Sequence, residues 1–246
     1  MTYNSEVTSI QNDLHRAWQG VLRAVRQMHP SSQIRPQNAT DVFHPDVDSG
    51  ESKFNVGPVV FCVPERANGR GSNLYIAISG WICFGGPRAP DPRRTTLRFG
   101  TGVGYFQAKE DHLIHVYGVH YDMDEKLPGH PVFHAQMCSQ EEFGATVRDV
   151  FNLRLDPGKD LAAGLLRNVR MPTAQMDVFS VITQIGADHL VSETSSLEVQ
   201  AAFGKLREAC DFFVGAAGRL AYLNSMQATH CYRSTHWYAR GQSEAV

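Results

Sequence analysis

Apolar residues between positions 1 and 30 recur at steps of three and four, which is the spacing of one face of an α-helix. This stripe consists of Val7, Ile10, Leu14, Trp18, Val21, Leu22, Val25 and Met28. Pro30 ends the pattern, because proline cannot continue a helix. Residues 1–30 are therefore predicted to form an N-terminal amphipathic helix that packs on the rest of the chain or on a partner.

Between residues 55 and 138 the pattern changes to segments rich in β-branched and aromatic residues, each bounded by Gly, Pro, Asn or Asp. The segments are Val56–Val63, Asn73–Phe84, Thr95–Lys109, Leu113–Asp122 and Pro131–Met137. Their short connections predict an antiparallel meander of about five strands. The stretch Ser31–Lys53 is rich in Ser, Asn, Asp and Pro and is predicted to be a loop.

After Ser139 the helical spacing returns. The predicted helices are Gln140–Phe151, Leu161–Val169, Met176–Leu190 and a long one from about Ser196 to Met226, whose apolar stripe starts at Leu197. We therefore expect a helical block over 139–228 and a polar tail over 229–246. Helix, then strands, then helices indicates an α+β fold, with a sheet flanked by an N-terminal helix and a C-terminal helical block in one domain, 1–246.

The composition excludes several classes of protein. With 42% hydrophobic residues and a net charge of −2, the 246-residue chain is too apolar and too weakly charged to be disordered. Its apolar runs are shorter than the ~20 residues of a membrane helix, so no membrane association is expected. Near-neutral charge also argues against a general nucleic-acid coat protein.

Five widely spaced cysteines without a C-x-x-C pair indicate reduced, buried thiols. Residues 1–14 are polar and carry Glu6 and Asp13, so they do not read as a signal peptide. A cytoplasmic location is the resulting expectation.

Histidine is the residue that points to chemistry, since five of the 11 histidines lie between His112 and His134. If Asp122 lies opposite His130 in a hairpin, strand alternation puts one set of side chains on one side of the ribbon. That set is His120, Asp122, His130 and His134, with Gln136 on the same face. Imidazoles and a carboxylate suit a divalent metal such as zinc, and they equally suit metal-free acid–base catalysis. The cofactor is left open between these alternatives.

The same residues carry a resemblance. His120-Tyr121-Asp122 together with His130-Pro131-x-Phe133-His134-x-Gln136 resembles a short element of uncharacterised prokaryotic families, several of them toxin-like or associated with phage defence. The resemblance covers residues 120–136 and brings no defined activity. It implies that these residues act as a set.

Two further features bear on the ligand. Arg88, Arg93 and Arg94 lie in a turn-rich loop, and with Arg98 they are candidate contacts for phosphate groups. The alternating glycines Gly100-x-Gly102-x-Gly104 are predicted to be a glycine-kinked or bulged strand, because their spacing differs from that of a phosphate-binding loop.

Two hypotheses for function follow. The first is a hydrolase acting on a phosphoester, in a nucleotide, another phosphate-containing small molecule or a nucleic acid. The catalytic or metal-binding set would be His120, Asp122, His130 and His134, with Arg88, Arg93, Arg94 and Gln136 contacting the substrate. The alternative is a non-catalytic intracellular interaction or assembly protein, in a prokaryotic toxin or phage-defence system, that forms homo-oligomers or binds partners through its amphipathic terminal helices.

Overall fold

The computed structural model describes residues 3–49, 51–64, 73–85, 95–109, 112–123, 131–138, 143, 154–155 and 169–212. Its helices are α1 (Tyr3–Met28), α2 (Val178–Ile185) and α3 (Leu197–Cys210), with a 3₁₀ turn at Ala39–Asp41 and a π-turn at Gly186–Leu190. The strands are β1 (Gln33–Arg35), β2 (Phe43–Pro45), β3 (Ser52–Pro64), β4 (Asn73–Phe84), β5 (Thr96–Lys109), β6 (His112–Met123), β7 (Phe133–Met137), β8 (Arg154–Leu155) and β9 (Met171–Pro172).

Within the described residues the nine strands form one sheet in the order β1-β3-β4-β5-β6-β7-β9. Strands β3 to β7 are an antiparallel meander, β2 also pairs with β3, and β8 runs parallel to β6. Helices α1 and α2 cover one face of this sheet, which we call the core face, and α3 packs on these two helices. We call the opposite face the outer face.

Helix α1 buries its apolar stripe against the core face. Ile10, Leu14, Trp18 and Val21 are completely buried in one cluster with apolar side chains of the sheet and of α2 and α3. The Trp18 indole also donates a hydrogen bond to the backbone carbonyl of Gln37, at 3.1 Å. The stripe predicted from the sequence is thus satisfied within this chain, which leaves its large side chains unavailable to a partner.

The helices that follow the sheet begin at capping side chains. The Asp177 carboxylate accepts hydrogen bonds from the backbone N–H groups of Phe179 and Ser180, and the Ser196 hydroxyl accepts one from Val199. Such caps satisfy N–H groups that have no partner inside a helix. The prediction of helices starting near Met176 and Ser196 is confirmed.

The structure confirms the α+β class and corrects its details. The sheet has more strands than the predicted five, since β1 and β2 lie inside the predicted loop Ser31–Lys53 and β8 and β9 inside the predicted helical block 139–228. These four strands are two or three residues long, too short to show a two-residue alternation. They form because the backbone N–H and C=O groups of neighbouring strands are available to make hydrogen bonds with them.

The last predicted helix is too long. Helix α3 ends at Cys210, where Asp211 closes the final turn, and residues 213–226 of the predicted helix lie outside the described residues. Leu197, assigned to its buried stripe, is 82% exposed because it occupies the first helical position, away from the α1 contact. The predicted helices Gln140–Phe151 and Leu161–Val169 fall almost entirely outside the described residues, as do 213–246 with the tail.

In the described part of the chain no helix is both long and apolar enough to cross a membrane. Four of the five cysteines, Cys62, Cys83, Cys138 and Cys210, are free and buried. This agrees with the thiol prediction at those four positions, and Cys231 lies outside the described residues.

Helices α1 and α3 approach each other closely at Gly20 of α1 and Ala209 of α3, and a substitution at Gly20 tests this contact. A Cβ atom at Gly20 would lie 2.8 Å from the Cβ of Ala209, closer than real Cβ contacts allow. Gly20→Val should therefore push the helices apart and lower the free energy of unfolding by roughly 1–3 kcal/mol, measured by urea denaturation. Stability equal to that of the unaltered protein would contradict this packing.

Candidate functional site

The predicted site residues that the structure describes lie on the outer face, at one end of strands β3 to β7. Two rows of directly paired residues cross these strands, and paired residues share a face. One row is Asn55, Trp81, Gly100, Asp122 and His134; the neighbouring row is Ser79, Gly102, His120 and Gln136. Strand pairing thus brings His120, Asp122, His134 and Gln136 to a single side of the sheet, as the sequence predicted.

The register of the β6–β7 pair differs from the one assumed. Asp122 pairs with His134 rather than with His130. Strand β7 begins only at Phe133, two residues after Pro131, which has no N–H to donate to a ladder. The shift is four residues, an even number, so His134 stays on the predicted face.

Gly100 provides the space in which the site is built. A Cβ atom at this position would lie 2.7 Å from Trp81 Nε1 and 3.5 Å from His120 Cε1. The indole and the imidazole therefore cover the backbone of Gly100 from its two neighbouring strands. Gly102 and Gly104 are covered in the same way by the ring of Phe143. The glycines of β5 make room for rings, and they lie between two irregularities of pairing, one against β4 at Thr96/Arg98 and one against β6 at Tyr105/Phe106.

His120 and Asp122 form a half-exposed pair. His120 Nε2 lies 4.0 Å from Asp122 Oδ2, and their side chains are 37% and 40% exposed. The other carboxylate oxygen, Oδ1, accepts a 2.7 Å hydrogen bond from the backbone N–H of Met123. That bond holds the carboxylate in place, so that Oδ2 faces the imidazole. The separation is longer than a direct hydrogen bond, and a bound substrate can tighten such a pair.

His134 lies beside this pair but in a different environment. It is only 2% exposed, although it is directly opposite Asp122. Within the described residues no group of three or more His, Cys, Asp or Glu side chains is placed to hold a metal ion. His130 lies outside the described residues. The donors among the described residues therefore do not by themselves make up the three protein ligands of a catalytic zinc site.

Uninterrupted alternation along Leu113–Asp122 predicts that His115 lies on the face opposite His120, but the structure places it on the outer face, the same face as His120. The β5–β6 pairing is irregular between Tyr105 and Phe106, so His115 pairs with Phe106 and Tyr117 with Tyr105. The His115 ring packs 5.1 Å from the Phe106 ring. The irregularity adds one residue to β6 and reverses the faces of the residues before it.

Two cations that border the site are held by carboxylates. Arg98 lies two residues before Gly100 on β5 and pairs with Glu51 at 2.5 Å. Lys53 pairs with Asp46 at 2.8 Å, and its Nζ lies 5.6 Å from the centre of the Trp81 ring. Arg88, Arg93 and Arg94, the predicted phosphate contacts, lie outside the described residues.

Sequence reasoning missed Trp81. The signal was present, because alternation along Asn73–Phe84 puts Trp81 on the face opposite the core residues Ile78 and Ile82. A tryptophan on the polar side of a strand covers its neighbours and offers an N–H donor. Trp81 is therefore the third member of the site, with His120 and Asp122.

No family model, curated protein or solved structure matches this chain.

Proposed function

We propose that the chain is a hydrolase that acts on a phosphoester, with the pair His120 and Asp122 as its acid–base centre. The observation that carries the proposal is the oriented pair itself, with the imidazole of His120 4.0 Å from a carboxylate that the Met123 N–H fixes. Proton transfer by a positioned side chain needs a group that changes charge near neutral pH, and histidine is that group.

In the proposed reaction a water molecule attacks phosphorus while the bond to the leaving oxygen breaks. His120 takes the proton of the attacking water, and Asp122 orients the ring and stabilises the imidazolium that forms. The imidazolium then returns the proton to the departing oxygen, or to solvent where that oxygen leaves as a stable anion, which restores the neutral ring. Trp81 covers the backbone of Gly100 from the β4 side, as the imidazole does from the β6 side, and so limits the space over β5.

The positive charge for a phosphate comes, in this proposal, from Arg98 and Lys53. From strand geometry Arg98 lies about 7 Å along β5 from Gly100, which is directly paired with Asp122. Both cations already have carboxylate partners, so a phosphate group competes with Glu51 and Asp46 for them. Gln136, directly opposite His120, and the loop residues Arg88, Arg93 and Arg94 remain proposed substrate contacts.

The proposal takes the metal-free form of the hypothesis, in which the oriented pair of His120 and Asp122 transfers the proton itself. The test is hydrolysis of bis(p-nitrophenyl) phosphate and p-nitrophenyl phosphate by protein dialysed against EDTA. We expect release of nitrophenolate at a rate that EDTA leaves unchanged. Activity that EDTA abolishes and zinc restores would overturn the metal-free form, and no hydrolysis with or without zinc would overturn the hydrolase.

The second candidate, a non-catalytic interaction protein, is favoured by one observation. A cavity of about 490 Å³ lies between α1 and α3, and it is floored by small residues such as Ala17, Gly20 and Ala24. Arg23 and Lys205 lie at its rim. A second copy of the chain is the proposed occupant, and light scattering tests it by the mass of the protein in solution. The apolar stripe that first suggested this function is buried within the chain.

A cytoplasmic location remains part of the proposal. Its support is the free state of the four described cysteines, since oxidising compartments favour disulfides.

A further inference from the structure

A cavity of about 320 Å³ lies between the last two turns of α1 and the segment that leads into β1. Val25 of α1 and Ile34 of β1 line it and are themselves buried, so the cavity rests on the edge of the core. Its volume is at the lower end of the roughly 300–1,000 Å³ that small-molecule sites occupy. The cavity therefore has room for a small molecule.

Two arginines line this cavity from different elements. Arg26 lies in the last turn of α1, Arg35 is the last residue of β1, and both are exposed. Among the described residues that line the cavity, none is acidic. Arg98 and Lys53, by contrast, are each paired with a carboxylate. The cavity thus presents positive charge that no lining carboxylate offsets, which favours an anion.

The secondary structure explains why both arginines lie there. A cation in the last turn of a helix is favoured by the helix dipole, which accounts for Arg26. It does not account for Arg35. Strand β1 pairs with β3, and its residues are exposed, buried and exposed in turn, so Gln33 and Arg35 share the face opposite Ile34. Strand alternation therefore brings the second arginine and an amide side chain to the cavity.

Polar side chains complete the lining. Ser32, Gln33 and Gln37 all line the cavity. The hydroxyl oxygen of Ser32 is buried and has no hydrogen-bond partner among the described residues, although such groups normally have one. Rotation about its Cα–Cβ bond towards a ligand would break no hydrogen bond. The glutamine amides both donate and accept, which suits a ligand that carries hydroxyl groups.

We propose that this cavity binds a phosphorylated small molecule, with Arg26 and Arg35 on the phosphate and the glutamine amides on a hydroxyl-bearing remainder. The planar guanidinium fork matches two phosphate oxygens at once. The site is separate from the proposed hydrolase centre. Strand β1 pairs with Val60–Cys62, whereas the row that contains Asp122 crosses β3 at Asn55, and three strand spacings of about 4.8 Å separate β3 from β6.

The test is isothermal titration of ribose 5-phosphate into the full chain with His120→Gln. This variant lacks the proposed catalytic base, so the result does not depend on whether the chain is a hydrolase. We expect saturable binding at one site, and binding of ribose, which has no phosphate, that is weaker by about 10-fold or more. Absence of saturable binding, or equal affinity for the two sugars, would overturn the proposal.

Variants in the same background locate the phosphate. Arg26→Gln and Arg35→Gln should each weaken binding by about 10-fold or more, because each removes a charge-assisted contact. Arg23→Gln is the matched control, since Arg23 is also an exposed arginine of α1 but lines the cavity on the α3 side. It should leave the affinity unchanged. Binding that is lost in Arg98→Gln and kept in Arg26→Gln would place the phosphate at the hydrolase centre and overturn the assignment.

Ser32→Ala separates binding from folding. The hydroxyl has no partner to lose among the described residues, so the free energy of unfolding, measured by urea denaturation, should not fall. The affinity for ribose 5-phosphate should fall several-fold. Undiminished affinity in Ser32→Ala, Arg26→Gln or Arg35→Gln, or weaker binding in Arg23→Gln, contradicts the proposed site.

Discussion

Replacing Gly80 with alanine should lower the free energy of unfolding by about 3 kcal/mol or more. Gly80 has φ +145°, a conformation that residues with a Cβ rarely adopt. It also lies in the middle of β4, where an added Cβ would overlap the carbonyl oxygen of Gly100. Gly100 is the residue that Trp81 and His120 cover, so the clash reaches the proposed site. Urea denaturation of Gly80→Ala measures the effect.

Two other glycines serve as matched controls. Gly85 also has a positive φ, +117°, but open space around its Cβ position, so Gly85→Ala measures the backbone strain alone, roughly 1–3 kcal/mol. Gly204 lies in α3 with open space and an ordinary φ, and Gly204→Ala should stabilise the protein by about 0.5–1 kcal/mol. A Gly80→Ala effect no larger than that of Gly85→Ala would show that the β4–β5 contact is not as close as described.

The second large effect is expected on catalysis. His120→Gln should reduce kcat/KM for the phosphodiester by about 10²- to 10⁴-fold, because glutamine cannot exchange the proton. His120 is half-exposed, so the melting temperature should change little. His15→Gln, at an exposed histidine of α1, is the control and should keep full activity. Equal rates for the His120 and His15 variants would remove His120 from the reaction.

The faces of the long strands were predictable, because burial on one side imposes a period of two on segments such as Asn73–Phe84. The face of His120, Asp122 and His134 followed from the same rule. The pairing partner of Asp122 could not be predicted from this rule. The face on which a side chain lies depends only on whether it is an odd or an even number of residues along the strand. The register depends on where the partner strand begins, and β7 begins at Phe133.

The misplaced His115 and the missed β1 share a physical reason. Both depend on contacts between residues far apart in sequence: the irregular pairing at Tyr105/Phe106 for His115, and the open edge of β3 for β1. A three-residue strand has no alternation of its own to detect. Trp81 was readable from alternation, but its position over Gly100 required the β4–β5 register.

The most direct test of the central claim, that His120 and Asp122 act as one acid–base unit, is a double-mutant cycle on kcat/KM for bis(p-nitrophenyl) phosphate. Asp122→Asn keeps the acceptor for the Met123 N–H and removes the charge facing His120. We expect Asp122→Asn to lower the rate, and the double variant with His120→Gln to be as slow as His120→Gln alone. Losses that simply add, or an Asp122→Asn variant as active as the unaltered protein, would contradict the account.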